Sequence, residues 1–587
     1  MVMMDSQDEG VSRDEAEETG HHISVKPSLL RTQYVSARTR PWIAAAIATA
    51  IMLVALVLTI AIIFAHRSRS APQPVIKYGS IVTTTEGKYQ GVDLGNGVTQ
   101  WLGMRYAAAP VGDLRFAAPQ PAPIHGGIVV ASTFGKGCPG KGPSPPPGYV
   151  AEDCLWTDVY APTNSTVNSS LPVYVFIQGG GFDGDSAHYN GSSLIHAANF
   201  DMVTVSFTYR GAAFGFLAGA EIRTNASLNN GLKDQRFLLQ WVQKNIAGFG
   251  GNPNHVTVGG ASAGGGSVTQ HLVAYGGRDD GLFQAALAQS QSFPAIRTVE
   301  ESQYQYDNLV QRAGCKTETD TLACLRKLNI TEFQKANINE PFPGAPGDPI
   351  FPYNPTLDYD FITDYPIESF TAGKFIKVPT IFGDDSDEGT VFTPQNVETV
   401  TQTENFLRNQ FPLLNSEQLE TYNQLYDFNS TAGPLYWQKA SIAYGETRYI
   451  CPGIELSNTL SLYNNSQVWN YRYNVIDPQQ AGFNLGVPHT AELPAIWGWT
   501  PGSTRSYGPG QLNGNIQAIM QGYWSSFIRT YDPNVYRAEG TPVWEEWVAE
   551  KGNRIRLETN TTTMEVVDDE QKERCDYLAS IAVEIAQ

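Results

Sequence analysis

Charge is scarce in this sequence, and positive charge is scarcer than negative charge. Charged residues make up 17% of the 587 residues, and the 39 lysines and arginines against 58 aspartates and glutamates give a net charge of −19 at pH 7. Nucleic-acid binding needs a basic face, so this balance argues against such a partner. We find no internal repeat. The 55 glycines, 36 prolines and 11% aromatic residues indicate a loop-rich globular protein, long enough for a large α/β sheet with insertions.

One long hydrophobic run stands near the N-terminus. Residues 1–41 are polar and acid-rich at their start and are predicted to be a disordered tail. The uncharged run from Trp42 to Phe64 follows, and at ~1.5 Å per residue it reaches ~35 Å, enough to cross a bilayer. A cleaved signal peptide has a shorter apolar region nearer the start, and a buried core helix has a polar face. We therefore predict a transmembrane signal anchor at 42–65, a linker at 66–77 and one catalytic domain at 78–587.

Basic residues set the expected orientation of that anchor. Lys26, Arg31, Arg38 and Arg40 precede it and only Arg67 and Arg69 follow it, which places the N-terminus in the cytosol and the domain in a lumen or outside the cell. Acceptor asparagines in Asn-x-Ser/Thr all lie beyond the anchor, as expected for a type II membrane glycoprotein. They are Asn164, Asn168, Asn190, Asn225, Asn329, Asn429, Asn464 and Asn560.

Cysteine is rare as well. The six cysteines all follow the anchor, and none of their spacings resembles a zinc site: Cys138, Cys154, Cys315, Cys324, Cys451 and Cys575. We expect no metal and no cofactor. An even number in a lumenal domain predicts three disulfides, with free buried cysteines as the alternative. Of the fifteen possible pairings, sequence proximity favours Cys138–Cys154 and Cys315–Cys324, which leaves Cys451–Cys575.

Apolar strand patterns alternate with amphipathic helical patterns along the domain. This alternation predicts an α/β fold with a mostly parallel central sheet flanked by helices. The predicted strands are Val173–Ile177, Val203–Tyr209, Val256–Gly259 and the segment 378–383, and the predicted helices are Gln235–Ile246 and Ser267–Tyr275.

The stretch that organises the domain is Gly260-Ala261-Ser262-Ala263-Gly264. It has the Gly-x-Ser-x-Gly pattern of the nucleophile elbow, in which a serine occupies a sharp strand-to-helix turn of an α/β-hydrolase. The motif is weak alone, because two flanking glycines arise at roughly one serine in a hundred in a glycine-rich chain. A glycine-rich turn with a bystander serine is the alternative.

A serine nucleophile needs a histidine base and an acid that orients it, and in this fold they follow in the order Ser, Asp/Glu, His. Of the nine histidines only His271 and His489 follow Ser262. His271 lies nine residues on, roughly 13 Å along a helix, so His489 is the predicted base. The acid is expected in the turn 384–388 after a buried strand, at the carboxyl edge of the sheet. Spacing does not choose among its four acids, and a solvated acidic turn is the alternative.

Glycines 179–181 follow the strand Val173–Ile177 and precede the elbow. Glycines in this position can present backbone N–H groups to an oxyanion, each donor contributing on the order of 3 kcal/mol in the transition state. A phosphate-binding loop is the competing interpretation, but no Gly-Lys-Ser/Thr follows.

Together these motifs resemble the type-B carboxylesterase/lipase family, which is cholinesterase-like, and its fungal members in particular. The similarity runs from about Tyr78 to Leu578 and includes Glu152-Asp153-Cys154-Leu155, the run 230–235 and the acid segment 383–392. The resemblance implies the α/β-hydrolase fold and the first two disulfides. It also implies a triad of Ser262, Glu388 and His489, and an oxyanion hole formed by Gly180, Gly181 and the Ala263 amide.

Two positions depart from the family pattern. Gln178 stands where a histidine usually precedes the glycines, and Ala261 stands where a glutamate usually precedes the serine. The second departure argues against a cholinesterase proper. We therefore expect a membrane-anchored serine esterase for small-molecule esters with short to medium acyl or aryl groups. The alternatives are a catalytically weak adhesion protein, a lipase and, as a weaker rival, a serine peptidase. The sequence leaves the oligomeric state open.

The loop between Cys138 and Cys154 bears on the substrate. In related fungal lipases this loop is long and carries an amphipathic lid helix. Here three consecutive prolines (145–147) and nearby glycines disfavour a helix, and no apolar stripe exists. A disulfide closing so short a loop contributes ~3 kcal/mol in the chain-entropy model. We expect a stapled rim and an open active site.

Overall fold

The computed structural model describes residues 77–142, 149–184, 188–428, 434–463, 467–498 and 506–587, together with Met52 and Val54. The predicted cytosolic tail, the rest of the predicted membrane helix at 42–65 and most of the predicted linker lie outside the described residues. Within the described ranges, no helix combines the length and the apolar character needed to cross a bilayer. Asn429 and Asn464 also lie outside these ranges.

Strands in the described ranges build one large sheet and one two-stranded ribbon. In chain order they are β1 Tyr78–Thr84, β2 Gly87–Asp93, β3 Val98–Arg105, β4 Ile128–Val130, β5 Trp156–Pro162, β6 Leu171–Ile177, β7 Val203–Phe207, β8 Gly251–Ala261, β9 Ala285–Gln289, β10 Arg297–Thr298, β11 Thr356–Leu357, β12 Thr380–Asp385, β13 Val468–Tyr473, β14 Asn553–Leu557 and β15 Thr563–Val566.

Helices connect these strands. They are α1 Ser192–Ala197, α2 Ala212–Phe216, α3 Ala220–Asn225, α4 Asn230–Asn245, α5 Ala263–Gly277, α6 Val299–Arg312, α7 Thr321–Lys327, α8 Ile330–Ala336, α9 Pro366–Thr371, α10 Val400–Gln410, α11 Ser416–Leu425, α12 Leu435–Gly445, α13 Cys451–Ser461, α14 Pro478–Gly482, α15 Leu493–Trp497, α16 Gly514–Thr530 and α17 Asp569–Ile581. A π-helical stretch, Glu446–Ile450, joins α12 to α13, and short 3-10 turns lie at Gly112–Leu114 and Ile246–Phe249.

The large sheet has a parallel centre between antiparallel edges. Its strand order is β1-β2-β3-β5-β7-β6-β8-β9-β12-β13-β14-β15, with β4 paired to β2. Neighbours from β7 to β14 run parallel, and the pairs from β1 to β7 along this order and the pair β14–β15 run antiparallel. Parallel strands have both faces covered, which explains their continuous apolar sequences. The predicted mostly parallel sheet is confirmed.

Strand β6 shows how the core is divided. Val173, Val175 and Ile177 belong to one buried cluster, whereas Tyr174 and Phe176 belong to another. Successive side chains of a strand point to opposite faces, so the clusters lie on the two sides of the sheet. At ~25 cal/mol per Å² of buried apolar surface, these two layers provide the main stabilisation of the domain.

Some element bounds differ from the sequence expectations. Strand β8 begins at Gly251 rather than Val256, because buried Gly251 already pairs with Leu171, and residues 252–255 between Gly251 and Val256 are partly or fully exposed. Helix α5 begins at Ala263 rather than Ser267, since the Ser262 carbonyl already accepts a hydrogen bond from the Gly266 amide at 2.9 Å. Hydrophobicity does not mark the polar start of β8, and the low helix propensity of glycines 264–266 hides the buried first turn of α5, so both bounds were predicted too far along the chain.

All three expected disulfides are present. Cys138–Cys154, Cys315–Cys324 and Cys451–Cys575 have Cα separations of 5.0, 5.7 and 4.9 Å. These separations are ordinary for disulfides. The third bond links α13 to α17 and so fastens the C-terminal helix to the domain.

Candidate active site

Ser262 occupies the turn between β8 and α5. Its backbone has φ 60° and ψ −126°, a conformation that an L-residue adopts only when its surroundings hold it there. The Ser262 amide donates to the Gln289 carbonyl on β9 at 2.9 Å, and its carbonyl accepts from the Ser292 amide at 3.1 Å. Its residue surface is 8% exposed. The structure therefore has the strand–serine–helix turn that the motif predicts.

The glycine loop after β6 lies against this serine. A Cβ placed on Gly179 would be 2.8 Å from the Ser262 Cβ and 2.9 Å from the Ala261 carbonyl oxygen, so no larger residue fits there. Gly180 and Gly181 have φ values of 98° and 64°. Within the described part of the chain, the amides of Gly180, Gly181 and Ala263 donate no hydrogen bond. Three unused N–H donors thus lie in the two segments that meet at Ser262.

Glu388 and His489 are in direct contact. Glu388 Oε2 is hydrogen-bonded to His489 Nδ1, and the side chains are 0% and 6% exposed. The other Glu388 oxygen accepts from the Asp385 amide at 2.7 Å. His489 Nε2 is buried and has no hydrogen-bond partner among the described residues. The imidazole is therefore oriented through one nitrogen while the other remains available.

Backbone pairing brings the acid turn and the histidine loop together. The Asp387 amide donates to the Val487 carbonyl at 2.9 Å, and Asp387 Oδ2 accepts from the Val487 amide at 2.8 Å. Gly486 has φ 62°, and a Cβ there would lie 2.1 Å from Asp387 Oδ2. Of the four acids in the turn, Asp387 thus holds the histidine loop through both its amide and its carboxylate, and Glu388 contacts the imidazole.

Several buried acids around Glu388 and His489 have pKa values above the ordinary range. Burial, followed by the nearby Glu388 carboxylate, raises the pKa of Asp384 well above its ordinary value. The pKa of Asp385 is likewise raised well above the ordinary value by burial and then by Glu492 and Glu388. Burial also raises the pKa of Glu492. Close acidic groups in a dry environment cannot all carry charge.

His271, the other histidine after Ser262, has a structural environment. It is fully buried on α5, and its Nε2 lies 3.0 Å from Gln235 Oε1 on α4. Burial lowers its pKa to about 3, so it stays neutral. This agrees with its exclusion as the base.

An aromatic surface connects the glycine loop to the histidine. Phe351 lies against Gly181, and its ring centroid is 5.8 Å from that of Phe392. The ring centroids of Phe392 and Tyr449 lie 5.0 and 4.4 Å from that of His489. Phe351 and Phe392 remain partly exposed. Sequence reasoning missed Phe351 and Tyr449, because no local motif surrounds either residue.

The first disulfide loop is fixed to the segment after the glycines. Lys141 Nζ lies 2.9 Å from Asp183 Oδ2, and the Gly140 carbonyl accepts from Gln334 Nε2 at 2.8 Å and Asn337 Nδ2 at 3.1 Å. Burial raises the pKa of Asp183 to about 7 despite the adjacent ammonium group. No helix occurs in the described parts of this loop, 138–142 and 149–154, and residues 143–148 lie outside the described ranges.

The two family-variant positions are both buried. Ala261 packs in the core beside the serine, and the Gln178 carbonyl accepts from the Tyr209 hydroxyl at 3.0 Å. Near Ala261, the Gln289 side chain donates to Glu492 Oε1 at 3.0 Å. Gln289 thus contacts the serine segment through its main-chain carbonyl and the histidine loop through its side-chain amide.

Taken together, a strained serine, unused amide donors and a carboxylate-oriented imidazole are the parts required for acyl transfer. Residues 75–578 match the carboxylesterase family. The chain is 32% identical over 529 residues to secreted lipase 4 of Gibberella zeae, which covers 85% of this chain and 91% of that protein. It is 30% identical to the acetylcholinesterase of Bungarus fasciatus, over 81% of this chain and 82% of that enzyme.

A solved structure shows the same architecture. The crystal structure of EstA from Aspergillus niger superposes with a TM-score of 0.84 at 40% sequence identity, covering 87% of this chain and 99% of that one. The fold is therefore the α/β-hydrolase fold, as expected. On these grounds, the chain belongs to the type-B carboxylesterase family, whose members resemble cholinesterases and lipases, and it is a carboxylic-ester hydrolase.

Proposed function

We propose that this hydrolase works through an acyl-enzyme formed on Ser262. His489 Nε2 takes the hydroxyl proton as Oγ attacks the ester carbonyl carbon, and Glu388 stabilises the imidazolium. The C–O bond to the leaving alcohol breaks, and the alcohol oxygen receives the proton from Nε2. Water then attacks the acyl carbon as His489 Nε2 takes its proton. The bond between the acyl carbon and Oγ breaks, Nε2 returns the proton to Ser262 Oγ, and the carboxylic acid leaves. The observation that carries this proposal is the imidazole of His489, whose Nδ1 is hydrogen-bonded to buried Glu388 and whose Nε2 has no hydrogen-bond partner among the described residues.

Gly180, Gly181 and Ala263 form the oxyanion hole in this mechanism. Their amides donate no hydrogen bond in the described part of the chain, and a buried donor without an acceptor is costly. A substrate oxyanion satisfies all three, and each such bond contributes on the order of 3 kcal/mol to transition-state stabilisation. The glycine loop also lies in contact with Ser262, as this role requires.

The substrates are dissolved esters with short to medium acyl or aryl groups. Two observations support this choice: the described part of the first disulfide loop is tied to α8 and Asp183, and partly exposed Phe351 and Phe392, packed edge to face, offer an apolar surface. A lipase is the second candidate, because relatives carry names such as secreted lipase 4 and secreted lipase 1.

A nitrophenyl-ester series separates these two candidates. We expect simple saturation with dissolved acetate to octanoate esters and no rise in rate when the substrate passes its solubility limit. Ser262→Ala should abolish turnover, whereas Ser580→Ala, an exposed serine on α17, should match the wild type. A sharp rise at the solubility limit, with preference for long-chain triglyceride, identifies a lipase instead.

We also propose a type II membrane topology, with tail 1–41 in the cytosol, helix 42–65 in the membrane, linker 66–77 and the catalytic domain 78–587 outside or in a lumen. Two relatives are named as secreted, and six of the acceptor asparagines are exposed: Asn164, Asn168, Asn190, Asn225, Asn329 and Asn560. Protease added to intact vesicles should remove only the tail and leave the glycosylated part protected. Sugars on the protease-sensitive part contradict this topology.

A further inference from the structure

A second pair of carboxyl groups lies behind the acid turn. Asp385 ends β12, and Glu492 follows His489 by three residues. They are 1% and 0% exposed. Neither is a member of the proposed triad, and neither forms an ion pair with a basic side chain in the described ranges.

The hydrogen bonds of these two carboxyls can be accounted for atom by atom. Asp385 Oδ2 accepts from the Ala491 amide at 2.9 Å, and Glu492 Oε1 accepts from Gln289 Nε2 at 3.0 Å. The remaining atoms, Asp385 Oδ1 and Glu492 Oε2, are buried and meet no N–H or O–H donor of another described residue. The Ala491 amide that Asp385 accepts from belongs to the residue before Glu492, so the two carboxyl groups are neighbours, and a hydrogen bond to Glu492 is among the causes that raise the pKa of Asp385. Carboxylates only accept, so a hydrogen bond between the two requires that one of them carries a proton.

We propose that Asp385 is a neutral carboxylic acid in the working enzyme, donating its proton to the Glu492 carboxylate, and that this pair positions Glu388 against His489. The inference rests on the proposed triad. The Asp385 amide donates to Glu388 Oε1, while its carboxyl accepts from Ala491, two residues after His489. Through these contacts the pair joins the acid turn to the histidine loop.

The shared proton also controls the charge of the site. Glu388 stabilises the imidazolium only as a carboxylate, and the Gln289 side-chain amide favours charge on Glu492 by donating to its Oε1. A third carboxylate beside them, without a cation, would repel both. Burial raises the pKa of Asp385, and its hydrogen bond to Glu492 raises that pKa further. Asp385 is also the member of the pair whose main chain contacts Glu388, at 2.7 Å from its amide to Oε1, so the Glu388 carboxylate disfavours a second charge on this residue and aspartate is the acid of the pair.

Other ionisable groups face this pair, and their behaviour decides the experiment. These groups are Asp384 and Glu388 on β12 and its turn, His489 on the opposite loop, Tyr471 and Tyr473 on β13, and Tyr174 on β6. Arg554 of β14 acts on Asp384. Burial raises the pKa of all three tyrosines, so they stay neutral while the pair titrates. Asp384, whose pKa is also raised, is therefore the necessary control.

Asp385→Asn is the decisive variant because it mimics the neutral acid. Its amide N–H can donate to Glu492, its carbonyl can accept from Ala491, and no charge is altered if Asp385 is already neutral. We expect kcat/KM at pH 7 to fall by less than about threefold, with the acidic limb of the pH profile unmoved. The alkaline loss of activity should move up by about one pH unit or more, because the variant has no proton to release. Asp385→Leu should lose about 100-fold.

Three outcomes would contradict the proposal that Asp385 and Glu492 share a proton. The first is an acidic limb that moves down in Asp385→Asn by about half a unit or more, since this means a charge was removed near His489. The second is an alkaline limb of the pH profile that does not move in Asp385→Asn. The third is an alkaline limb that moves in Asp384→Asn instead of in Asp385→Asn. The infrared band of a protonated carboxyl should also vanish in Asp385→Asn, which tests the proton without activity.

The triad itself is checked separately in the same enzyme. An organophosphate should label Ser262 in the wild type and in Asp385→Asn. Absence of that label in the wild type refutes the triad. A labelled Ser262 combined with a shifted acidic limb refutes only the shared proton.

Discussion

The serine side and the histidine side of the site are built by different means. On the serine side, the strand-to-helix turn at Ser262 carries the unusual backbone, and neighbouring glycines make room for it. On the histidine side, Glu388 and His489 lie 101 residues apart and meet through buried carboxyls and backbone pairing. Gln289 contacts both sides. The comparison shows that local backbone geometry positions the nucleophile Ser262, whereas buried charge and hydrogen bonds position the base His489.

On the histidine side, replacing the carboxylate of Glu388 by an amide should have the largest effect on activity. Glu388→Gln removes the charge and the tautomer control of His489, so we expect kcat to fall about 10⁴-fold. The matched variant Asp387→Asn keeps an oxygen for the Val487 amide and should lose less than about tenfold. Initial rates on a nitrophenyl ester measure both. Equal losses contradict the division of roles between these neighbouring acids.

Adding one methyl group on the serine side should have an intermediate effect. Gly179→Ala places a Cβ 2.8 Å from that of Ser262, so the serine or the glycine loop must shift. We expect kcat to fall about 100-fold, as for loss of one oxyanion donor, with the fold retained. Gly126→Ala, where a Cβ meets nothing within 4 Å, is the control. Circular dichroism and ester turnover together test this, and an active Gly179→Ala would show that the contact is not needed.

The smallest expected effect lies at the rim. The pKa of Asp183 in the fold, about 7, exceeds its ordinary 3.8, so the free energy of unfolding falls as pH rises between these values. Lys141 offsets this loss only when Asp183 is ionised. Lys141→Met should therefore lower the free energy of unfolding by about 1 kcal/mol at pH 8 and less at pH 5.

Lys136→Met provides the matched control for that measurement, since Lys136 is exposed and forms no ion pair with any described residue. Thermal melting at the two pH values should distinguish the variants. An equal loss for Lys141→Met at both values would mean that packing, and not the ion pair, holds this loop.

The serine side could be predicted from the sequence because its causes are local. The elbow glycines and the two short disulfides involve residues close together in the chain, and all were located correctly. His271 could also be excluded as the base from the sequence, because the rise of the helix alone puts it out of reach of Ser262, and this left His489.

The histidine side could be predicted only in part. Chain order selected His489, but the choice of Glu388 among four acids needed the family resemblance. The Asp385–Glu492 contact joins residues 107 positions apart, from 385 to 492, and the proposed shared proton depends on their burial. Phe351 and the Lys141–Asp183 pair likewise arise from contacts between distant segments. Such contacts have no period or spacing in the sequence.

Peptide mapping after organophosphate treatment tests the central claim most directly. The wild-type protein should gain one phosphoryl adduct, on Ser262, in step with loss of ester hydrolysis, because in the proposed mechanism His489, oriented by Glu388, activates this serine. Ser262→Ala should gain none. A stoichiometric adduct on another serine, or full inhibition without modification of Ser262, would contradict the account.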